Sequence, residues 1–179
     1  MKPEFSRPVA AARINQEPGR FEISASPDEC QALAQRFDLI SIQTLKAQVL
    51  IRTLEGDQLY RFEADLQADL VQTCVVTLEP VEQHIEAKVA LNFATLADTE
   101  TEAVVDFDPE GEDPPDPIID GKIDMGEVIA EHLALELDSF PRVQGAALEK
   151  PETGAMIEIG EPARAGPLAN LGKLLAEKK

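Results

Sequence analysis

The sequence predicts an α+β fold, in which an antiparallel β-sheet meander of four to six strands is covered on one face by two or three helices. Three consecutive segments between residues 41 and 94 alternate apolar and polar residues with a period of two, which is typical of strands with one wet face. Two other segments have helical periodicity. We expect a single domain over residues 1–141 and a flexible arm over residues 142–179, ending in a short amphipathic helix.

The N-terminal part predicts two short strands and a helix. The strands flank the turn sequence NQEPGR. A helix is predicted over residues 27–37, because Ser26 can cap it, Pro27 suits its first position and Glu29 completes a capping box. The two strands are expected at residues 5–14 and 20–25. The helix would bury Cys30, Leu33, Ala34 and Phe37.

The central meander is predicted from three alternating runs joined by the turn sequences LEGDQ and LEPVE. Its inward positions are Leu45, Ala47, Val49 and Ile51 in the first run, Tyr60, Phe62, Ala64, Leu66, Ala68 and Leu70 in the second, and Ile85, Ala87, Val89, Leu91 and Phe93 in the third. The polar residues between them would face water. The helices must then cover the dry face.

Negative charge is concentrated in one band of the chain. The protein has 34 acidic and 16 basic residues, and residues 98–138 hold 15 of the acids but only one base, Lys122. Such a band repels phosphate backbones and attracts basic proteins or cations. The alternative is a solvated loop that maintains solubility. The Pro-rich part, residues 98–120, is predicted to be a loop inside the domain.

A second long helix is predicted after this loop, over residues 123–140, and Pro141 ends it. Its apolar stripe is expected to pack on the sheet. Asp124 and Glu127 lie on its polar side and are available to a partner.

The chemistry-bearing residues do not predict catalysis. Cys74, in the sequence CVVTLEPV, could belong to a metal site, act as a redox thiol or lie buried at a strand end. A zinc site needs about four ligands, and the other candidates are only Cys30, His84 and His132. The densest acids lie in a Pro-rich loop, which is a poor support for a metal pair. We therefore expect two structural cysteines, no cofactor, no metal and no enzymatic activity.

Three stretches of the chain resemble the YceD family of large ribosomal RNA subunit accumulation proteins, which occurs in bacteria and plastids. They are CVVTLEPV, DPPDPIIDGKIDMGEVIAEHLALELDSFPR and the terminal GPLANLGKLL. Many relatives have Cys-x-x-Cys-Leu-x-Pro at the first stretch. Here Cys74, Leu78 and Pro80 match, but Thr77 replaces the second cysteine. The resemblance implies a role in making or preserving large-subunit (23S) ribosomal RNA and no known reaction.

The C-terminal stretch is similar to a family tail written Asn-Pro-Phe-x-x-Leu-x-x-Leu. Gly166 and Leu168 replace the Asn and the Phe, whereas Pro167, Leu171 and Leu174 fit the pattern. A short apolar helix after such an arm either docks on its own domain or binds a groove of another protein. The sequence leaves both possibilities open.

The resemblance therefore implies a non-enzymatic ribosome-biogenesis factor. We expect it in the cytoplasm, because the start of the chain lacks a secretory signal and no run is long enough to span a membrane. Its expected partner is a basic ribosomal or assembly protein, with any RNA association indirect. The alternative is direct RNA binding by the outer face of the sheet, and a hydrolase is a third possibility. The candidate partner-binding residues are Asp106, Asp108, Glu110, Glu112, Asp113, Asp124, Glu127, Leu168 and Leu171, and the candidate RNA-facing residues are Lys46, Arg52, Arg61 and Lys88.

Overall fold

The computed structural model describes residues 3–54, 58–95 and 114–147. Within these ranges the chain forms seven strands and three helices. The strands are β1 (Pro8–Ala10), β2 (Gly19–Ser24), β3 (Ser41–Thr53), β4 (Leu59–Thr73), β5 (Pro80–Ala94), β6 (Asp116–Pro117) and β7 (Lys122–Asp124). The helices are α1 (Ala11–Ile14), α2 (Pro27–Arg36) and α3 (Met125–Glu136). The predicted α+β class is confirmed.

Five strands form one sheet in the order β2-β3-β4-β5-β6. The pairings β2–β3, β3–β4 and β4–β5 are all antiparallel, so the predicted meander is confirmed. The fifth strand differs, because β6 pairs with the end of β5 in parallel, through Phe93↔Asp116 and Ala94↔Pro117. It is a two-residue strand at the sheet edge, where a proline without an N–H is tolerated.

The alternation in the long strands separates a dry face from a wet face. All the inward positions predicted for β3 and β4 are buried, and in β5 Ala87 and Leu91 are partly buried against the same core. Phe62 and Phe93 meet edge to face, with ring centroids 6.1 Å apart. One hydrophobic cluster joins this face to residues of α2, α3 and the N-terminal segment.

Helix α2 begins with the predicted capping box. The Glu29 N–H donates to the Ser26 hydroxyl at 3.4 Å, and the Ser26 N–H donates to the Glu29 carboxylate at 2.8 Å. Two of the N–H groups left unpaired at a helix start are satisfied in this way. Cys30, Leu33 and Ala34 are buried as predicted.

The predicted strand over residues 5–14 is correct only at its centre. Only Pro8–Ala10 is a strand, and it pairs antiparallel with β7 in a separate two-stranded sheet. At Ala11 the chain turns into the one-turn helix α1, and the Ala11 N–H donates to the Gly121 carbonyl at 3.0 Å. The sequence Ala-Ala-Arg favours a helix, and β7 is too short to pair with more residues.

Helix α3 is shorter than the predicted range 123–140. Residues 122–124 belong to β7, and the helix ends at Glu136, where Leu137 adopts an extended conformation. After it the Asp138 carboxylate accepts the Phe140 N–H at 2.9 Å, and a residue that precedes a proline disfavours helical geometry. Beyond the predicted domain boundary at residue 141, the Val143 N–H still contacts Cys74; the boundary itself stays a prediction.

Candidate functional site

Most of the predicted partner-binding residues lie outside the residues that the structure describes. This applies to Asp106, Asp108, Glu110, Glu112 and Asp113 in the acidic loop, and to Leu168 and Leu171 in the tail. The predicted terminal helix lies outside them as well. Their role in partner binding stays a prediction.

Asp124, another predicted partner-binding residue, is engaged within the domain. Its Oδ1 atom accepts N–H groups of Arg7 at 2.7 Å, Gly126 at 3.1 Å and Glu127 at 3.4 Å, and its Oδ2 atom accepts the Ser6 hydroxyl. It caps α3 and fastens the N-terminal segment across the start of that helix. The segment passes so close that a Cβ atom on Gly126 would lie 2.6 Å from the Phe5 carbonyl oxygen. Asp124 therefore has a structural role inside the domain.

Glu127 and Glu4, a residue of the N-terminal segment before β1, both form ion pairs with Arg36. Arg36 Nη1 lies 3.1 Å from the Glu127 carboxylate and 3.0 Å from that of Glu4. The hydrogen bonds that Arg36 donates to the carboxylate of Glu127, and secondarily to that of Glu4, raise the pKa of Arg36. The Glu127 side chain is 38% exposed, so it still faces solvent.

A second ion pair connects α2 to the same segment. Both terminal nitrogens of Arg7 donate to the Glu29 carboxylate, at 2.7 and 2.8 Å. The guanidinium also bonds the Ser24 carbonyl and lies 4.7 Å from the Phe5 ring centroid. The hydrogen bonds from Arg7 are the main cause that lowers the pKa of Glu29 to about 2. Arg7 and Arg36 are thus both neutralised by carboxylates.

The predicted RNA-facing residues lie on the wet face of the sheet but do not form a basic patch. Arg52 and Arg61 both contact the Glu63 carboxylate, at 3.4 and 3.6 Å, and Lys88 lies opposite Asp65 in the strand register. Counted over β2 to β5, this face carries five bases and six acids. The bases are Arg20, Lys46, Arg52, Arg61 and Lys88, and the acids are Glu22, Glu63, Asp65, Asp69, Glu82 and Glu86.

The centre of the wet face is a shallow concavity of about 760 Å³, lined by backbone and by side chains that include Glu22, Leu50 and Lys88. Elsewhere on the wet face Asp69 accepts the Thr44 hydroxyl and lies 2.7 Å from the His84 ring nitrogen. That contact raises the pKa of His84 and lowers that of Asp69. Arg52 lies opposite Arg61 in the register, but both contact Glu63, and the acids of this face slightly outnumber its bases, so a phosphate backbone would meet repulsion as well as attraction.

Cys74 occupies the buried strand end that the sequence analysis favoured. Its side chain is 0% exposed, and its sulfur accepts the N–H groups of Thr77 and Val143, both at 3.4 Å. Hydrogen bonds, first of all from Thr77, lower the pKa of Cys74 to about 6, although burial opposes the charged form. Burial raises the pKa of Cys30, and both thiols are free.

The sequence LEPVE predicts the turn that follows Cys74, but it does not predict the left-handed backbone of Leu78 within it. The Leu78 N–H donates to the Cys74 carbonyl at 3.0 Å, and the Cys74 N–H donates to the Glu79 carbonyl at 2.8 Å. Leu78 has a φ of 61°, a left-handed conformation that disfavours a leucine, yet its side chain is 75% exposed. The only hint of this conformation in the sequence is that a leucine stands in a turn, where Gly or Asn is expected.

In residues 3–54, 58–95 and 114–147, no group of three or more His, Cys, Asp and Glu side chains is placed to hold a metal ion. None of the helices in this part of the chain has the length and apolar character that crossing a membrane requires.

Comparison with known proteins identifies the family. The sequence model described as large ribosomal RNA subunit accumulation protein YceD matches residues 62–175, which is more than half of the chain. The protein belongs to the YceD family, as the sequence resemblance indicated. The family is named for the accumulation of large-subunit ribosomal RNA. No match was found among curated proteins or among solved structures.

Proposed function

We propose that this protein is a non-enzymatic ribosome-biogenesis factor of the cytoplasm, which supports accumulation of 23S ribosomal RNA by binding a basic ribosomal or assembly protein. The family supplies the process. The observation that carries the choice of partner is the sign and placement of charge. Residues 98–138 have a net charge of −14, out of −18 for the whole chain.

The described surface supports this choice. Affinity for RNA rests on several Lys and Arg side chains that displace counterions from phosphates. On the helix side, Arg7 and Arg36 are bound to Glu29, Glu4 and Glu127. On the wet face the acids slightly outnumber the bases. A basic protein would be attracted rather than repelled, since a long-range negative field raises its association rate.

The first test is capture of partners from a bacterial lysate, with and without ribonuclease, followed by mass spectrometry. Ribosomal or assembly proteins that remain bound after ribonuclease treatment are the expected result. Ribosomal material that disappears on treatment would contradict the proposal and favour direct RNA binding.

The second test compares two sets of substitutions. The acidic set changes Asp106, Asp108, Glu110, Glu112 and Asp113 to Asn or Gln, and the basic set neutralises Lys46, Arg52, Arg61 and Lys88. We expect the acidic set to weaken capture of the basic partner and the basic set to leave it unchanged. The association rate should also fall as salt is raised beyond about 0.15 M, where the screening length is about 8 Å. Tight binding of naked RNA by the wild type that only the basic set abolishes would contradict the proposal.

A further inference from the structure

Four large apolar side chains are exposed at one end of the main sheet, and we call them the sheet-end patch: Ile40 (53% exposed), Val75 (48%), Leu78 (75%) and Phe140 (69%). They lie on three segments, namely the entry to β3, the β4–β5 turn and the chain after α3. We infer that the sheet-end patch is a docking surface for a short apolar segment, rich in Lys or Arg, of another protein. This inference rests on the proposed function, because it locates where the basic partner would be held.

Hydrogen bonds hold the three segments together. The Ile40 N–H donates to the Val71 carbonyl at 2.9 Å, which aligns the entry to β3 with the end of β4. The Val75 N–H donates to the Pro141 carbonyl at 2.9 Å. The Gln72 side-chain amide donates to the Asp138 carbonyl at 3.1 Å. The patch is thus built on a fixed frame, which lowers the entropy lost when a partner binds.

Leu78 is the residue that folding alone does not explain. Its left-handed backbone conformation suits Gly or Asn, and a β-carbon with a bulky side chain is disfavoured there. Its side chain gains little from burial, because it is 75% exposed. Strained residues that the surrounding structure holds in place cluster at ligand-binding positions. A leucine presented on a fixed turn fits an anchor for an apolar partner.

The charge around the patch specifies the partner. The three segments, with their neighbouring residues, span residues 37–41, 74–82 and 134–143. Together they hold five acids and one base, Arg142. The acids are Asp38, Glu79, Glu82, Glu136 and Asp138. An apolar centre with an acidic surround complements an amphipathic segment whose leucine-like residues are flanked by Lys or Arg.

Two other occupants fit less well. A second copy of this chain would bring a second set of acids against the first. The tail of the same chain, residues 148–179, has five acids and five bases, so its net charge is zero. A separate basic protein therefore matches the patch best.

The test is a titration of the full chain with a synthetic peptide of leucine and lysine, whose leucines recur at helical spacing. Two control peptides replace its leucines by serine or its lysines by glutamate. The test variant combines Leu78→Asn, which suits the left-handed conformation, with Phe140→Ser. The matched control is Ile119→Ser, because Ile119 is 72% exposed and follows β6, at the other end of the sheet.

We expect the double variant to bind the leucine–lysine peptide about tenfold more weakly and the Ile119 variant to bind it unchanged. Both control peptides should bind more weakly than the original. Equal affinity of the double variant, or of the serine peptide, would overturn the inference, because charge alone would then explain binding. Tighter peptide binding after removal of residues 148–179 would identify the tail as the occupant. A wild-type dimer that the double variant dissociates would identify a second copy. Either result would also overturn the inference.

The lysate capture separates this inference from the proposed function. If the double variant loses protein partners that the wild type retains after ribonuclease treatment, both the docking surface and the proposed function are supported. If it retains them, the docking site is wrong and the function is unaffected. If the wild type captures no protein, the proposed function fails, and the partner inferred here fails with it.

Discussion

The backbone N–H of Val143 donates to the sulfur of Cys74 at 3.4 Å, although the two residues are 69 positions apart. With the bond between Val75 and Pro141, this contact fastens the chain after α3 to the end of β4. Thr77 supplies a second N–H to the same sulfur. The thiol therefore serves as a buried acceptor that joins two distant segments, and this role needs only one cysteine.

Cys74→Ala should destabilise the fold because it leaves the two N–H donors without their acceptor. We expect a loss of about 1–3 kcal/mol in the free energy of unfolding. Cys74→Ser keeps an acceptor but buries a poorly placed hydroxyl, at a cost of about 1–2 kcal/mol. Urea denaturation measures both, and neither variant should lose partner capture. The control is Cys30→Ala, since the Cys30 sulfur has only a 4.0 Å contact with the Ala25 carbonyl.

The structural role of Cys74 would be refuted if its alanine variant were no less stable than that of Cys30. Elemental analysis of protein purified without added metal provides a second check. We expect no stoichiometric zinc, and one zinc per chain would contradict this prediction.

The Arg7–Glu29 ion pair predicts a stability contribution that is lost in acid. The pKa of Glu29 is lowered from its ordinary value of 4.5 to about 2, chiefly by hydrogen bonds from Arg7. Because the folded state binds the proton less well than the unfolded state, the contribution is complete above about pH 4.5 and disappears as the pH falls to about 2. The side chains of Arg7 and Glu29 are 34% and 22% exposed, so solvent screening limits it to about 1 kcal/mol.

This is checked by urea denaturation of the wild type and Glu29→Gln at neutral pH and at about pH 2.5. The stability difference should be present at neutral pH and shrink in acid. Glu22→Gln, on the exposed wet face, serves as the control. A difference that does not change with pH would show that the charge of Glu29 is not the stabilising factor.

Asp124→Asn should destabilise the domain by about 1 kcal/mol, because the variant loses the charge at the start of α3 and one of its two acceptor oxygens. Asp120→Asn is the matched control, since Asp120 is exposed and its φ of 52° suits asparagine. Thermal melts measure the effect, alongside partner capture. If Asp124→Asn left stability unchanged but weakened capture, the residue would act in binding, as its position on the polar side of the helix first indicated.

Removal of residues 145–179 should leave a cooperative melt, because Pro141 and Val143 remain in contact with the Cys74 turn. Removal from residue 139 onward should lower the melting temperature, since it deletes both of these contacts. Circular dichroism during heating measures both. If the shorter deletion already abolishes the cooperative transition, part of the tail belongs to the core and the predicted arm is wrong.

The sequence predicted best where one physical signal dominated. Burial on one face of a pleated strand sets the alternation in β3, β4 and β5, and local side-chain bonds set the capping box at Ser26. Both signals lie within a few consecutive residues. The prediction failed where distant partners decide the structure, as at residues 5–14, whose strand ends because β7 is short.

The candidate site residues also divide into features that local sequence predicts and features that distant partners decide. The alternation places Arg52 and Lys88 on the wet face, but the acids beside them, Glu63 and Asp65, lie on the adjacent strand β4 and depend on register. The hydrogen-bond partners of Asp124, Ser6 and Arg7, lie more than 115 positions away from it in the sequence. A left-handed leucine at position 78 conflicts with local preference, so no local rule could predict it.

The pairing of β1 with β7 has a consequence for how the chain folds during synthesis. Pro8 lies opposite Asp124, so the first strand has no partner until more than two thirds of the chain has been made. The strands from β2 to β5 pair between neighbours and can form earlier, because their loops are short to close. On a translating ribosome the dry face of the sheet would therefore remain partly uncovered until α3 emerges. That interval is when this protein is itself most exposed to aggregation.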